Sequence, residues 1–89
     1  MDNVSIKSIP HPHKREPGAL FWEITFTGDL ATKHRSQIGL PESVQQALAG
    51  QDSHDSWDTI EEAKACIERV LGHSVTDREI AQACVWDDE

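Results

Sequence analysis

Apolar and polar positions alternate most cleanly over 20–27, where Leu20, Trp22, Ile24 and Phe26 interleave with Phe21, Glu23, Thr25 and Thr27. That period of two predicts a strand with one buried face. Val4, Ser5 and Ile6 open a shorter strand that Pro10 ends. Between the two, residues 10–18 hold Pro10, Pro12 and Pro17, which predicts an extended surface loop. Gly28 and Asp29 mark a turn. If the turn paired Thr27 with Leu30, Lys33 and Arg35 would lie beside Ile24 and Trp22 on the buried face, at a high desolvation cost. Pairing Phe26 with Leu30 instead sends both cations to the open face, so a third strand is expected over about 30–37.

The period then changes. Pro41 suits the first turn of a helix carrying Val44, Ala47 and Leu48 before Gly50. An acidic loop is expected over 51–57, and Thr59 with Glu62 forms a capping box, with Asp58 as a competing cap. Ile60, Ala63, Ile67, Val70 and Leu71 make a helical stripe that Gly72 closes. Thr76 and Glu79 repeat the capping signal ahead of a last helix with Ile80, Ala83, Cys84 and Val85. The fold class is therefore α+β: a small antiparallel meander of two to three strands, followed by two to three helices packed on one face. Residues 1–89 are expected to form a single domain, with a sheet half at about 1–38 and an acidic helical half at about 39–89.

Charge sharpens this division. The 89 residues sum to −8, with 16 acidic and 8 basic side chains. Residues 1–35 set five cations against four acids (+1), and residues 36–89 set three against twelve (−9). Broad phosphate binding needs lysine and arginine in excess, so it is not expected. No run approaches the ~18 apolar residues of a membrane span. Met1 and Asp2 begin no basic n-region with an apolar h-region, and the chain reads as cytoplasmic. Cys66 and Cys84 form no Cys-x-x-Cys pair and read as reduced, buried thiols.

Candidate chemistry is sparse. His11 and His13 offer two imidazoles without a third ligand at suitable spacing. Asp52, Asp55 and Asp58 recur every third residue but fail the calcium-loop template, with His54, Ser56 and Trp57 at its third, fifth and sixth positions. Ser53, His54 and Asp55 have hydrolase-triad residue types, yet adjacent residues do not converge on one substrate atom. The segment 74–83 resembles the first helix of a helix-turn-helix, but Asp87, Asp88 and Glu89 would repel phosphates where a recognition helix belongs. No catalytic, cofactor-binding or metal set is read from the chain, and enzymatic activity is not expected.

The remaining signal is acid beside tryptophan. Many acids stand at helix starts, where the macrodipole accounts for them. Asp52, Asp55, Asp87, Asp88 and Glu89 do not, and Trp57 and Trp86 lie among them. The expected function is a non-enzymatic, acidic protein-binding module. Its partner would be a basic protein, such as a nucleic-acid-binding protein or complex, contacted through Asp52, Asp55, Trp57, Trp86, Asp87 and Asp88. In size and charge alone the chain is similar to phage and mobile-element inhibitors, including DNA mimics and anti-CRISPR proteins. The alternative is a small nucleic-acid-binding accessory protein using the open sheet face, with Lys7, Lys33 and Arg35 on phosphates and Phe21 stacked on a base.

Overall fold

The computed structural model describes residues 3–11 and 19–85. The two leading strands form where the alternation predicts them, as β1 (Val4–Pro10) and β2 (Leu20–Phe26). They pair antiparallel with Ile6 opposite Ile24 and Val4 opposite Phe26. One sheet face therefore carries Val4, Ile6, Ile24 and Phe26, all buried, while Lys7, Phe21 and Glu23 lie on the other.

The third strand expected over 30–37 is instead helix α1 (Gly28–Gln37). Gly28 opens it at φ +57 where the hairpin turn was expected. The expectation rested on the cost of burying Arg35, and Arg35 is indeed only 3% exposed. Its Nη1, however, donates to the Gln51 carbonyl at 2.7 Å, so the guanidinium is not left unpartnered. His34 on the same buried face stacks on Phe26, with ring centroids 4.7 Å apart. Lys33 points outward and donates from Nζ to the Leu71 carbonyl at 3.3 Å.

Helix α2 (Glu42–Ala47) follows Pro41 as expected but buries none of its residues. The acidic loop expected over 51–57 contains a further strand, β3 (Ser53–Trp57), antiparallel to β2 with Trp57 opposite Trp22 and Asp55 opposite Ile24. Helix α3 (Ile60–Leu71) buries Ala63, Cys66, Ile67 and Val70, the i, i+3, i+4, i+7 face of an amphipathic helix. Thr59 caps it by accepting from the Glu62 N–H, and Gly72 ends it in the left-handed conformation, its N–H donating to the Glu68 carbonyl at 2.8 Å.

Thr76 and Glu79 complete a reciprocal capping box at α4 (Asp77–Ala83). The expected helical continuation through Cys84 and Val85 is overturned, because these residues form β4 (Cys84–Val85), paired parallel to β1. The sheet runs β3-β2-β1-β4 and is mixed, mostly antiparallel, with helices packed against it. The α+β class stands. The division into a sheet half and a helical half does not, since α1 lies in the first and β3 and β4 in the second. No helix among the described residues is long and apolar enough to cross a membrane.

Candidate functional site

Two arrangements concentrate chemistry. The first is a groove of about 330 Å³ between α3 and α4, lined by Trp22, Ile60, Glu61, Lys64, Asp77, Ile80, Ala81 and Cys84. Trp22, Ile60, Ile80 and Cys84 are partly or fully buried against the core and make its apolar floor. Glu61 and Asp77 stand exposed on the rim. Lys64, the groove's cation, is spoken for: its Nζ donates to the Asp77 carboxylate at 3.0 Å, and that bond lifts its pKa above the ordinary lysine value. Asp58 and Glu62, both exposed, stand near Glu61 in sequence at the start of α3, where Asp58 bonds His11 and Glu62 accepts from the Thr59 hydroxyl.

The second arrangement lies inside the fold, where α1, β3 and α3 meet. β3 turns Ser53, Asp55 and Trp57 toward the helices and His54 and Ser56 away from them. His34 Nδ1 lies 2.5 Å from Ser53 Oγ, and His34 Nε2 lies 3.2 Å from Asp55 Oδ2. The Cys66 thiol donates to the same Asp55 oxygen at 3.6 Å. Burial and the adjacent Asp55 carboxylate push the Cys66 thiol up to about 11, so it is protonated at neutral pH. Trp57 lies beside Cys66, and its buried Nε1 has no hydrogen-bond partner among the described residues.

This relay has the residue types of a hydrolase triad, with His34 where the sequence offers His54. His54 instead lies on the outer sheet face, with Nδ1 3.1 Å from Thr25 Oγ1. Ser53 is only 7% exposed, and no member of the relay lines the groove. A serine nucleophile there lacks the substrate access that acyl transfer requires.

Among the described residues, Asp52, Asp55 and Trp57 do not form one exposed patch. Asp52 is exposed, whereas Asp55 and Trp57 face the helices and are half-buried. Trp86, Asp87 and Asp88 lie outside the described residues. The open sheet face of the alternative reading loses two of its cations, because Lys33 and Arg35 belong to α1 and both are bonded to backbone carbonyls. Lys7 and Phe21 remain on that face, with Lys7 directly opposite Glu23. His11 is not the solvated imidazole its loop suggested. Its side chain is 5% exposed, hydrogen-bonds Asp58 through Nε2 and meets Phe21 edge-on at 5.0 Å.

The groove residues that sequence reasoning missed had a recoverable signal. Ile60, Glu61 and Lys64 on one helix and Asp77, Ile80 and Ala81 on the next recur at helical spacing, so each helix presents acid and hydrophobe together. Which helix faces the other could not be read from either stripe alone. Comparison with known proteins finds no family, no curated relative and no solved structure that matches this chain.

Proposed function

We propose that this chain is a non-enzymatic, acidic protein-binding module that docks the α3–α4 groove onto a basic surface of a partner protein. The observation that carries this reading is the groove itself, an apolar floor of Trp22, Ile60 and Ile80 under the exposed carboxylates Glu61 and Asp77. Interface anchors are aromatic or aliphatic groups in partly desolvated pockets, and a charged rim selects the partner and speeds encounter. At about 330 Å³ the groove stands at the small end of ligand cavities, a size suited to an apolar side chain flanked by lysine or arginine. Such surfaces occur on nucleic-acid-binding proteins. The overall charge of −8 supports the more specific proposal, an inhibitor of the DNA-mimic or anti-CRISPR kind that occupies a nucleic-acid-binding groove.

Fluorescence anisotropy with a labelled peptide holding one leucine between lysines and arginines tests the reading. Binding is expected to weaken as salt rises, and Glu61→Lys is expected to weaken it roughly tenfold further at low salt. Affinity indifferent to both salt and Glu61→Lys would contradict the proposal.

A further inference from the structure

The interior relay contains more donor chemistry than packing requires. We propose that His34, Asp55 and Cys66 bind one divalent cation of the zinc type through the His34 imidazole, an Asp55 carboxylate oxygen and the Cys66 sulfur. Three elements, α1, β3 and α3, deliver these groups to one place, and their donor atoms all lie within 4.8 Å of one another.

The spacing suits a small cation. Tetrahedral bonds of ~2.0–2.3 Å place neighbouring ligand atoms ~3.3–3.8 Å apart. Here His34 Nε2 and Asp55 Oδ2 are 3.2 Å apart, and Cys66 Sγ and the same oxygen are 3.6 Å apart. Hydrogen bonds span similar distances, so further features of the surroundings carry the distinction. Ser53 Oγ holds His34 Nδ1, which orients the ring and leaves Nε2 directed at the cluster, as outer partners of metal-bound imidazoles do. The Trp57 indole N–H, buried and without a hydrogen-bond partner among the described residues, lies beside Cys66. A neutral thiol is a weak acceptor for it, whereas a metal-bound thiolate accepts it well.

Charge and softness select the ion. Thiolate and carboxylate together carry two negative charges, which a divalent cation neutralises inside the fold. The thiol proton leaves to solvent when the S–metal bond forms, with no change of oxidation state. Sulfur and imidazole favour zinc over calcium or magnesium, which take oxygen ligands. Three protein donors leave a coordination position for water or for an atom of a bound partner. This site is separate from the groove, so it stands or falls independently of the docking proposal.

Cobalt(II) is the probe, added to the full chain after chelator treatment. One equivalent is expected to bind, with a thiolate-to-cobalt charge-transfer band that zinc then displaces. The band is expected to vanish in Cys66→Ser and to persist in Cys84→Ser, whose sulfur lines the groove instead. Ser53→Ala, which keeps all three donors, is expected to weaken cobalt binding by about 10–100-fold. Substoichiometric cobalt in the unaltered chain, or a band retained in Cys66→Ser, would overturn the proposal in favour of a metal-free hydrogen-bond network.

Discussion

Asp55 holds three groups at once: His34 Nε2 at 3.2 Å, the Cys66 thiol at 3.6 Å and, through its second oxygen, the Ser56 N–H at 2.9 Å. Removing that carboxylate strands polar groups that are wholly or partly buried. Asp55→Ala in the metal-free protein is therefore expected to cost about 1–3 kcal/mol, measured by urea denaturation. Asp52→Ala, at an exposed position, is expected to fall within about 0.5 kcal/mol of the parent. Equal effects at the two positions would mean that the relay is not what holds β3 to α1. Cys66 adds a pH signature. Its thiol is raised to about 11 in the fold from 9.0, so between those values the unfolded chain releases a proton that the folded chain keeps. Stability of the metal-free protein should fall as pH climbs through that window, and Cys66→Ala should flatten the fall. Parallel pH curves for the two proteins would show that the thiol stays unperturbed.

At the scale of elements, capping and periodicity were legible wherever apolar side chains carry the burial. The reciprocal Thr76–Glu79 box starts α4, and Thr76→Ala is expected to cost about 1 kcal/mol by thermal or urea denaturation. Strands β1 and β2 and the stripe of α3 likewise follow from Val4, Ile6, Ile24, Phe26, Ala63, Ile67 and Val70. Elements with polar inner faces were not legible. β3 turns Ser53 and Asp55 inward, so its alternation contains no hydrophobe before Trp57. α1 buries His34 and Arg35 beside Ala31, and a cation counted as unburiable became buried once Gln51 supplied a carbonyl. In each case the compensating partner lies more than fifteen residues away, at 16 for Arg35 and Gln51 and 19 for His34 and Ser53. Local pattern carries no trace of such pairings. The same blindness hid the His34, Asp55 and Cys66 cluster, whose members come from three elements.

At the scale of the molecule, the net charge of −8 divides by structural role. Glu68 and Glu79 are consumed internally, accepting from the Val75 and Thr76 N–H groups, and Asp55 serves the relay. Glu62 serves the cap of α3, accepting from the Thr59 hydroxyl, and Asp58 bonds His11, while exposed Glu61 and the Lys64-paired Asp77 line the apolar groove. The acidic character is therefore joined to a hydrophobic recess. The proposed docking role rests on that combination, because solubility needs charge but no apolar floor.

The most direct measurement is an NMR titration of the isotope-labelled chain with the leucine-centred basic peptide at low salt. The account predicts progressive shifts of the Trp22 indole N–H and of the Glu61, Ala81 and Cys84 amides, with Asp29 and Glu42 unmoved and the effect suppressed at high salt. Shifts confined to Lys7, Phe21 and His54 on the open sheet face, or an absence of shifts at the groove, would contradict it.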